Sequence, residues 1–314
     1  MKTIIHNKFF EFNFMLFPIW ILPVYFGISN IIESQEYVFL IFLILFGETH
    51  FASTFLFYFE KKNHHYIKTN LNIYVTVPTI ILILYLVVGF VDFKSAVLLG
   101  AIASGFHVTR QSVGMQRLYS LSRNTFYEWV TYASSFLFMF VGFCRFWLLD
   151  LVKGFNINYD ININYFISTN FSFLFIFVVT LFSIIAIAEK ANLKKRITNL
   201  TGVLIYAPYL FVNNIYDAII IGVGAHWCQY LAINYKVYFF KQKLDFRKIS
   251  FIIFIFLYAT IMALLGYKYN FDKVINYLIL IPLSGQFFHY YIDSFLWRFS
   301  DPHIREVVGK RLFS

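Results

Sequence analysis

The stretch GQFFHYYIDSFLWRF, from Gly285 to Phe299, lies in an apolar run near the C-terminus and decides the fold. It carries Gln286, His289 and Asp293 at positions i, i+3 and i+7, which share one face of a helix. Such polar side chains are costly in hydrocarbon unless they face a partner inside a helical bundle. The stretch therefore predicts one wall of a buried polar site.

The composition predicts an all-α integral membrane protein, with residues 1–314 forming a single membrane domain. Of 314 residues, 60% are hydrophobic and only 13% are charged, whereas soluble domains carry roughly 25% charged residues. The net charge of +10 comes from basic residues that flank apolar runs, so nucleic acid is not expected as a partner. Both cysteines, Cys144 and Cys228, lie within apolar runs, which argues against a disulfide framework or a thiolate zinc site.

The apolar runs predict about ten transmembrane helices, of which the seventh is short and interrupted by Pro208. Their predicted bounds are 9–31, 36–59, 71–91, 95–118, 127–151, 170–188, 197–213, 216–240, 249–267 and 273–299. Most Lys and Arg residues then fall on the side of the N-terminus. The opposite side has only Lys94, Lys153, Lys268 and Lys273. By the positive-inside rule, we expect a bacterial inner-membrane protein with both termini in the cytoplasm and an Asn-rich outer connection at 153–170.

Four histidines lie at one predicted depth. They are His50, ten residues before Glu60; His107, ten before Arg117; His226, ten before Lys236; and His289, nine before Arg298. At about 1.5 Å per residue, each lies roughly 15 Å from the cytoplasmic edge, near the membrane midplane. Their helices run in the same direction, so we predict that the four imidazoles converge on one metal ion. For each histidine taken singly, the alternative is hydrogen bonding between helices. The other histidines, His6, His64, His65 and His303, fall in termini or loops and are expected to face solvent.

Polar side chains accompany these histidines at helical spacing. Gln111 follows His107 at i+4, Gln229 follows His226 at i+3, and Gln286 precedes His289 by three residues. Amides so placed can orient a metal-binding ring through its second nitrogen. The alternative for all three is ordinary hydrogen bonding between helices.

Three charged residues are the candidates for catalysis. Asp293, at i+4 from His289, is the best carboxylate ligand or orienting group, and Glu48 is a second buried acid. Arg110 requires an anion, which Glu48, Asp293 or a substrate group can supply; a structural ion pair is the alternative. Trp297 and Arg298 are interpreted as an interfacial belt without chemistry.

The chain has no soluble-enzyme motif: no HExxH, CxxC, nucleophile elbow or phosphate-binding glycine loop. A metal held by three or four histidines with an open position can activate dioxygen or water. We expect Fe(II), with Zn or haem as alternatives. At the midplane, the expected substrate is lipid-soluble, such as a carotenoid, quinone, sterol or acyl lipid.

Two motifs resemble the Brp/Blh-type family of bacterial membrane β-carotene dioxygenases. FHYYIDSFLWR is similar to that family's last-helix motif at His289, Asp293 and Arg298, and THFASTF around His50 is similar to its His-Phe motif. The resemblance implies an all-helical fold whose histidines bind iron. The family's Gly-Leu-Pro-His-Gly segment is missing here, and its HxxxH pair reduces to His107 with Gln111. The metal ligands must therefore differ, with His226 replacing a lost ligand.

These observations predict a metal-dependent membrane oxygenase that acts on a lipid-soluble molecule, with an unidentified electron donor as a further partner. Two other functions fit the same residues. One is a transporter with a midplane ion or proton site. The other is a haem-binding redox protein of the membrane.

Overall fold

The computed structural model describes residues 8–16, 18, 20–119, 125–143, 176–181, 184, 193–210, 215–239, 245–267 and 275–313. All regular structure within these ranges is helical, which confirms the all-α prediction there. The predicted helix 170–188 falls mostly outside the described residues, as do the connection 153–170, Cys144 and His6. The count of ten helices and the single membrane domain stay predictions.

The chain groups into two compact units. The first unit comprises Met1–Met15, Phe26–Ser104 and Trp227–Ser314, and the second comprises Leu16–Tyr25 and Gly105–His226. The helices Phe93–Leu118 and Ile215–Tyr238 contribute residues to both units. Each unit is described separately.

The first unit contains most of the long apolar helices. Its helical segments are Gln35–Phe42, Leu43–Gly47, Glu48–Ser53, Leu56–Phe59, Lys61–Thr69, Asn72–Thr76, Val77–Val91, Phe246–Tyr267, Ile275–Ile279 and Leu280–Leu296. The chain ends in three short helical segments, Pro302–Ile304, Arg305–Gly309 and Lys310–Phe313. Asp301 caps the first of these by accepting hydrogen bonds from the backbone N–H groups of His303 and Ile304.

Three helices within the described residues are long and apolar enough to cross a membrane: Gln35–Ser53, Asn72–Val91 and Phe246–Gly266. The last two expose large apolar side chains, including Leu84, Phe90 and Ile253. Polar side chains, by contrast, are buried within the first unit, among them Glu48, His50 and His289. Apolar residues outside and polar residues inside are the distribution expected for a protein in lipid.

The helix Leu280–Leu296, which carries His289, packs most extensively against Val77–Val91. Gly89 permits this approach, because a Cβ atom there would lie only 2.5 Å from Leu280 Cδ2. Small residues let membrane helices pack closely, and dispersion contacts then hold them together. Gly89 therefore fixes the position of the His289 helix.

The helix Gln35–Ser53 is irregular beside its functional residues. A π-helical segment, Leu43–Gly47, comes directly before Glu48–Ser53, and a turn at Thr54 and Phe55 follows. π-Helical turns rotate the following residues relative to a regular α-helix and are frequent at functional sites. The predicted continuous helix 36–59 is thus interrupted at Thr54 and Phe55, one turn after His50.

The second unit differs from the prediction around Pro208. The helix there begins at Leu193 and ends at Val203, and a short 3₁₀ segment, Ala207–Leu210, follows. Both segments pack against Thr125–Phe143. Proline lacks a backbone N–H and clashes with the preceding helical turn, which explains why the predicted helix 197–213 is not continuous.

A cluster of polar side chains joins the C-terminal segment to the helix Lys61–Thr69. The His303 ring stacks on Tyr66 with centroids 4.1 Å apart, and its Nε2 lies 2.9 Å from Asn63 Oδ1. The Tyr66 hydroxyl donates to Asp301 Oδ2 at 2.6 Å. The Tyr66 ring covers one face of His303, so this histidine is partly buried, whereas it was predicted to face solvent. His64 and His65 are exposed as predicted, although they lie on a helix and not in a loop.

Burial lowers the pKa of His303 below its ordinary value, although Asp301, Glu306 and Glu60 oppose this effect. Partial burial alone would raise the pKa of Asp301, but the hydrogen bonds from Tyr66 and from the backbone of Ile304 and His303 lower it. The folded protein thus favours a neutral imidazole beside an ionised carboxylate.

A second connection at this end of the first unit is an ion pair. Arg311 donates to both carboxylate oxygens of Glu60, at 2.9 and 2.5 Å, and also to the Val237 carbonyl at 3.4 Å. Both side chains are about one-fifth exposed. A bidentate pair of this kind is stronger and more directional than most surface ion pairs.

Candidate metal centre

Two of the predicted ligands, His50 and His289, meet inside the first unit. Their ring centroids lie 4.5 Å apart, with the rings inclined by 69°. Both side chains are fully or almost fully buried, at 0% and 1% exposure. Two imidazoles this close and removed from water are placed so that both could bind one transition-metal ion.

A third ring completes this group. The Tyr230 ring centroid lies 4.5 Å from that of His50 and 5.2 Å from that of His289. Its hydroxyl lies 3.2 Å from Thr54 Oγ1, and the same Thr54 oxygen lies 2.5 Å from His289 Nδ1. Thr54 therefore links the tyrosine hydroxyl to one ring nitrogen of His289.

Asp293 lies one helical turn after His289, as the sequence predicts, and is anchored by Trp297. The Trp297 indole N–H donates to Asp293 Oδ1 at 2.5 Å, and the carboxyl group interacts electrostatically with the Tyr230 hydroxyl. The ligand atoms of Asp293 and His289 lie within 4.8 Å of one another. The carboxylate is thus held close to the imidazole by side chains that leave it little freedom.

Glu48 is a second buried acid in the first unit, at 4% exposure. Its Oε2 oxygen has no hydrogen-bond partner among the residues that the structure describes. The carboxyl group interacts electrostatically with the hydroxyls of Tyr258 and Tyr290, and the Tyr290 ring adjoins that of His289. A buried carboxyl oxygen without a partner is costly, so a proton, a cation or a polar guest must satisfy it.

The other two predicted ligands, His107 and His226, form a pair inside the second unit. Their ring centroids lie 5.2 Å apart, their rings are nearly perpendicular at 88°, and their ligand nitrogens come within 4.8 Å of each other. Both side chains are buried. Gln111 donates its amide N–H to the His226 carbonyl at 3.4 Å, so this amide adjoins the pair.

The remaining predicted site residues have other surroundings. Gln229 donates to the Met15 carbonyl at 2.9 Å, which favours the alternative of hydrogen bonding between segments. Gln286 accepts a hydrogen bond from the Tyr290 hydroxyl at 3.3 Å. Arg110 is exposed, and its charge interacts electrostatically with the Tyr132 hydroxyl. Its role in catalysis stays a prediction.

The sequence analysis missed Tyr230 and Trp297 as functional residues. Trp297 was assigned to the membrane interface, yet its indole N–H holds Asp293. Both residues follow a predicted site residue at i+4: Tyr230 follows His226, and Trp297 follows Asp293. That spacing was the available signal, but it is weak in a chain with 22% aromatic residues.

The buried histidines can bind a metal ion. They occur as two pairs, each with its rings about 5 Å apart, and one pair has an anchored carboxylate beside it. Imidazole and carboxylate donors suit Fe, Zn and related transition metals. The convergence of all four histidines on one ion stays a prediction.

No family model, curated protein or solved structure matches this chain. The similarity of the His50 and His289 motifs to membrane β-carotene dioxygenases therefore stays a prediction based on those residues alone.

Proposed function

We propose that this chain is a membrane-bound oxygenase in which His50, His107, His226 and His289 hold one metal ion. The observation that carries the proposal is the presence of two close pairs of buried imidazoles. Imidazole nitrogens that are removed from water and held in close pairs are suitable ligands for a transition metal.

Helical spacing supports one shared ion over two separate ions. His226 and Tyr230 lie at i and i+4 on the helix Ile215–Tyr238, so they share one face of it. Tyr230 in turn packs against His50 and His289. The equal predicted depth of the four histidines points the same way.

Iron is the metal that fits the proposal best. Imidazole nitrogens with a nearby carboxylate are the donors of non-haem Fe(II) sites, and a bound Fe(II) with an open position supplies dioxygen activation. The chain's own residues exclude water, because His50, His226 and His289 are almost completely buried. Thr54 contacts one ring nitrogen of His289, and the Tyr230 ring packs against the His289 ring.

The substrate is expected to enter from the lipid phase. Two of the described spans, Asn72–Val91 and Phe246–Gly266, expose large apolar side chains. A carotenoid, quinone or acyl lipid dissolved in the membrane reaches a midplane site without crossing water. We also propose an inner-membrane location with both termini in the cytoplasm, since most basic residues flank the predicted cytoplasmic ends.

The test combines metal analysis with an oxidation assay. The protein is purified in detergent without chelators, loaded anaerobically with Fe(II), and supplied with a carotenoid, a quinol or an unsaturated lipid while dioxygen uptake is recorded. We expect substrate-dependent uptake that is lost in His289→Ala and retained in His64→Ala, a matched control on an exposed histidine.

Three results would contradict the oxygenase. A Soret band in the purified protein would instead indicate haem. Substrate flux into proteoliposomes without oxidation would indicate transport. Failure of every tested metal to bind would remove the basis of the proposal.

A further inference from the structure

We propose that the short helix Lys61–Thr69 is a binding surface for the phosphate headgroups of anionic membrane lipids. Three of its residues, Lys61, His65 and Lys68, form this surface, which we call the basic stripe. The stripe is separate from the buried histidines of the first unit. The proposal therefore goes beyond the metal centre and does not depend on it.

The basic stripe follows from the spacing of its members. Lys61, His65 and Lys68 lie at positions i, i+4 and i+7, which share one face of a helix, and all three are exposed. Residues three or four positions apart on a helix have Cβ atoms about 5–6 Å apart, so one phosphate group can contact two neighbouring members. His64 is exposed as well, but its Nε2 atom lies 3.1 Å from the Tyr58 carbonyl, so we do not include it.

The opposite face of this helix is held against the protein. Asn63 is completely buried and donates its amide N–H to the Phe57 carbonyl at 2.8 Å. The Tyr66 ring stacks on His303 with centroids 4.1 Å apart, and its hydroxyl donates to Asp301 at 2.6 Å. These contacts fix the rotation of the helix about its axis, so that the basic stripe faces outward.

The acidic side chains beside this helix already have partners. The helix itself contains no Asp or Glu. Glu60, which precedes it, binds Arg311 through both carboxylate oxygens, at 2.9 and 2.5 Å. Asp301 accepts hydrogen bonds from Tyr66 and from backbone N–H groups. The stripe therefore presents positive charge to its surroundings, and Lys62 is exposed beside it.

The position of the helix in the chain favours a lipid over a soluble anion. The candidate span Asn72–Val91 begins three residues after Thr69, so the helix lies next to the end of a membrane span. Large apolar side chains are exposed on both sides of it, Phe59 before and Leu71 after. A basic surface between exposed apolar residues fits the layer in which lipid headgroups meet acyl chains.

The ligand class follows from charge complementarity. A lysine ammonium binds phosphate as a point charge, and each basic residue near an anionic membrane surface strengthens binding roughly fivefold. Phosphatidylglycerol carries a net negative charge, whereas the phosphate of phosphatidylcholine is balanced by its own ammonium group. We therefore expect the stripe to select the first lipid over the second.

The test is a lipid titration of the full-length protein in detergent, with bound lipid counted by native mass spectrometry. Phosphatidylglycerol and phosphatidylcholine with the same acyl chains are added in parallel at low ionic strength. We expect the wild type to bind phosphatidylglycerol at least about 10-fold more tightly. Equal affinity for the two lipids overturns the proposal without requiring any variant to fold.

Two double variants identify the residues responsible. Lys61→Gln combined with Lys68→Gln is expected to weaken phosphatidylglycerol binding roughly 30-fold, whereas arginine at both positions should preserve it. Lys8→Gln combined with Lys94→Gln is the matched control, because it removes two charges from exposed lysines outside this helix. Wild-type affinity in the first glutamine variant, or an equal loss in the control, overturns the assignment to the stripe.

Inorganic phosphate distinguishes a lipid headgroup from a soluble anion. Added in large excess at constant ionic strength, it should leave phosphatidylglycerol bound to the wild type. Displacement of the lipid would mean that the stripe takes free phosphate, which overturns the lipid assignment. Metal content should be unchanged in the Lys61→Gln, Lys68→Gln variant, so this proposal and the metal centre stand or fall separately.

Discussion

Replacement of Asp293 by Asn provides a sharp test of how this site is held together. The side chain keeps its shape and one carbonyl oxygen, so Trp297 can still donate to it. The carboxylate is lost, however, and the new amide group presents N–H donors where the carboxylate presented only acceptors. The hydrogen bond from Trp297 and the electrostatic contact with Tyr230 are therefore both weakened.

The size of the effect follows from the two interactions of Asp293 that change, one with Trp297 and one with Tyr230. Hydrogen bonds to charged groups contribute about 1.5–3 kcal/mol, whereas neutral ones contribute about 0.5–1.5 kcal/mol. A loss of roughly 1 kcal/mol at each of two interactions gives about 2 kcal/mol, which is a 30-fold weakening of metal binding at about 1.4 kcal/mol per tenfold. We therefore expect Asp293→Asn to bind metal about 10- to 100-fold more weakly than the wild type.

The assay is competition for Zn(II) or Fe(II) between the detergent-solubilised protein and a chelator of known affinity. Asp92→Asn serves as the control, because Asp92 is exposed and bonds only to nearby Ser95. Affinity within twofold of the wild type in Asp293→Asn would refute the orienting role. Loss of all measurable binding would instead mean that Asp293 is itself a metal ligand.

Further predictions concern the scaffold around the site. Gly89→Leu is expected to prevent assembly of the first unit, and Gly89→Ala to destabilise it by about 1–3 kcal/mol, because either side chain meets Leu280; thermal unfolding at the wild-type temperature in Gly89→Ala would contradict this. Glu60→Gln should lower the free energy of unfolding by about 1–2 kcal/mol, because Arg311, which is about one-fifth exposed, then has only a neutral partner. Arg311→Gln should lower it by the same amount, and the double variant should lose no more than either single variant. Burial lowers the pKa of His303, so below about pH 6.5 the unfolded chain binds a proton that the folded protein does not, and stability should fall as pH drops further. Unfolding temperature plotted against pH from 8 to 5 should change less steeply in His303→Gln than in the wild type. An unchanged slope would contradict the role of His303.

The buried histidines could be predicted from the sequence because a polar side chain that faces lipid carries a high free-energy cost. Within a hydrophobic run, a histidine such as His50 or His289 avoids this cost only by facing the protein interior. The prediction therefore depended on local composition and depth, both of which can be counted along the chain. The i+4 spacing from His289 to Asp293 likewise translated directly into proximity.

The partners of these residues depended on the tertiary structure. The helix that carries His50 contains a π-helical segment, Leu43–Gly47, and is interrupted at Thr54. The Thr54 hydroxyl lies beside His289. No periodicity in the sequence predicts the interruption or this contact. For Gln229, the sequence left open whether the amide orients a ligand or hydrogen-bonds between helices, and its donation to the Met15 carbonyl favours the second.

His303 shows why position relative to a helix end was a poor guide. It lies near the C-terminus, beyond the end of the last predicted helix, and its exposure was predicted on that basis. The stacking of its ring on Tyr66 brings together residues more than two hundred positions apart in the chain. Such a contact follows from how helices pack and not from local sequence.

The most direct test of the central claim is the metal stoichiometry of the purified protein and of two single variants. After saturation with Fe(II) or Zn(II) and removal of loosely bound ions, we expect about one metal ion per chain in the wild type. His289→Ala and His107→Ala should each lose that ion, because both histidine pairs serve the same centre. Two ions per chain, with each variant losing only one, would contradict the shared site, and no retained metal in the wild type would contradict the metal centre itself.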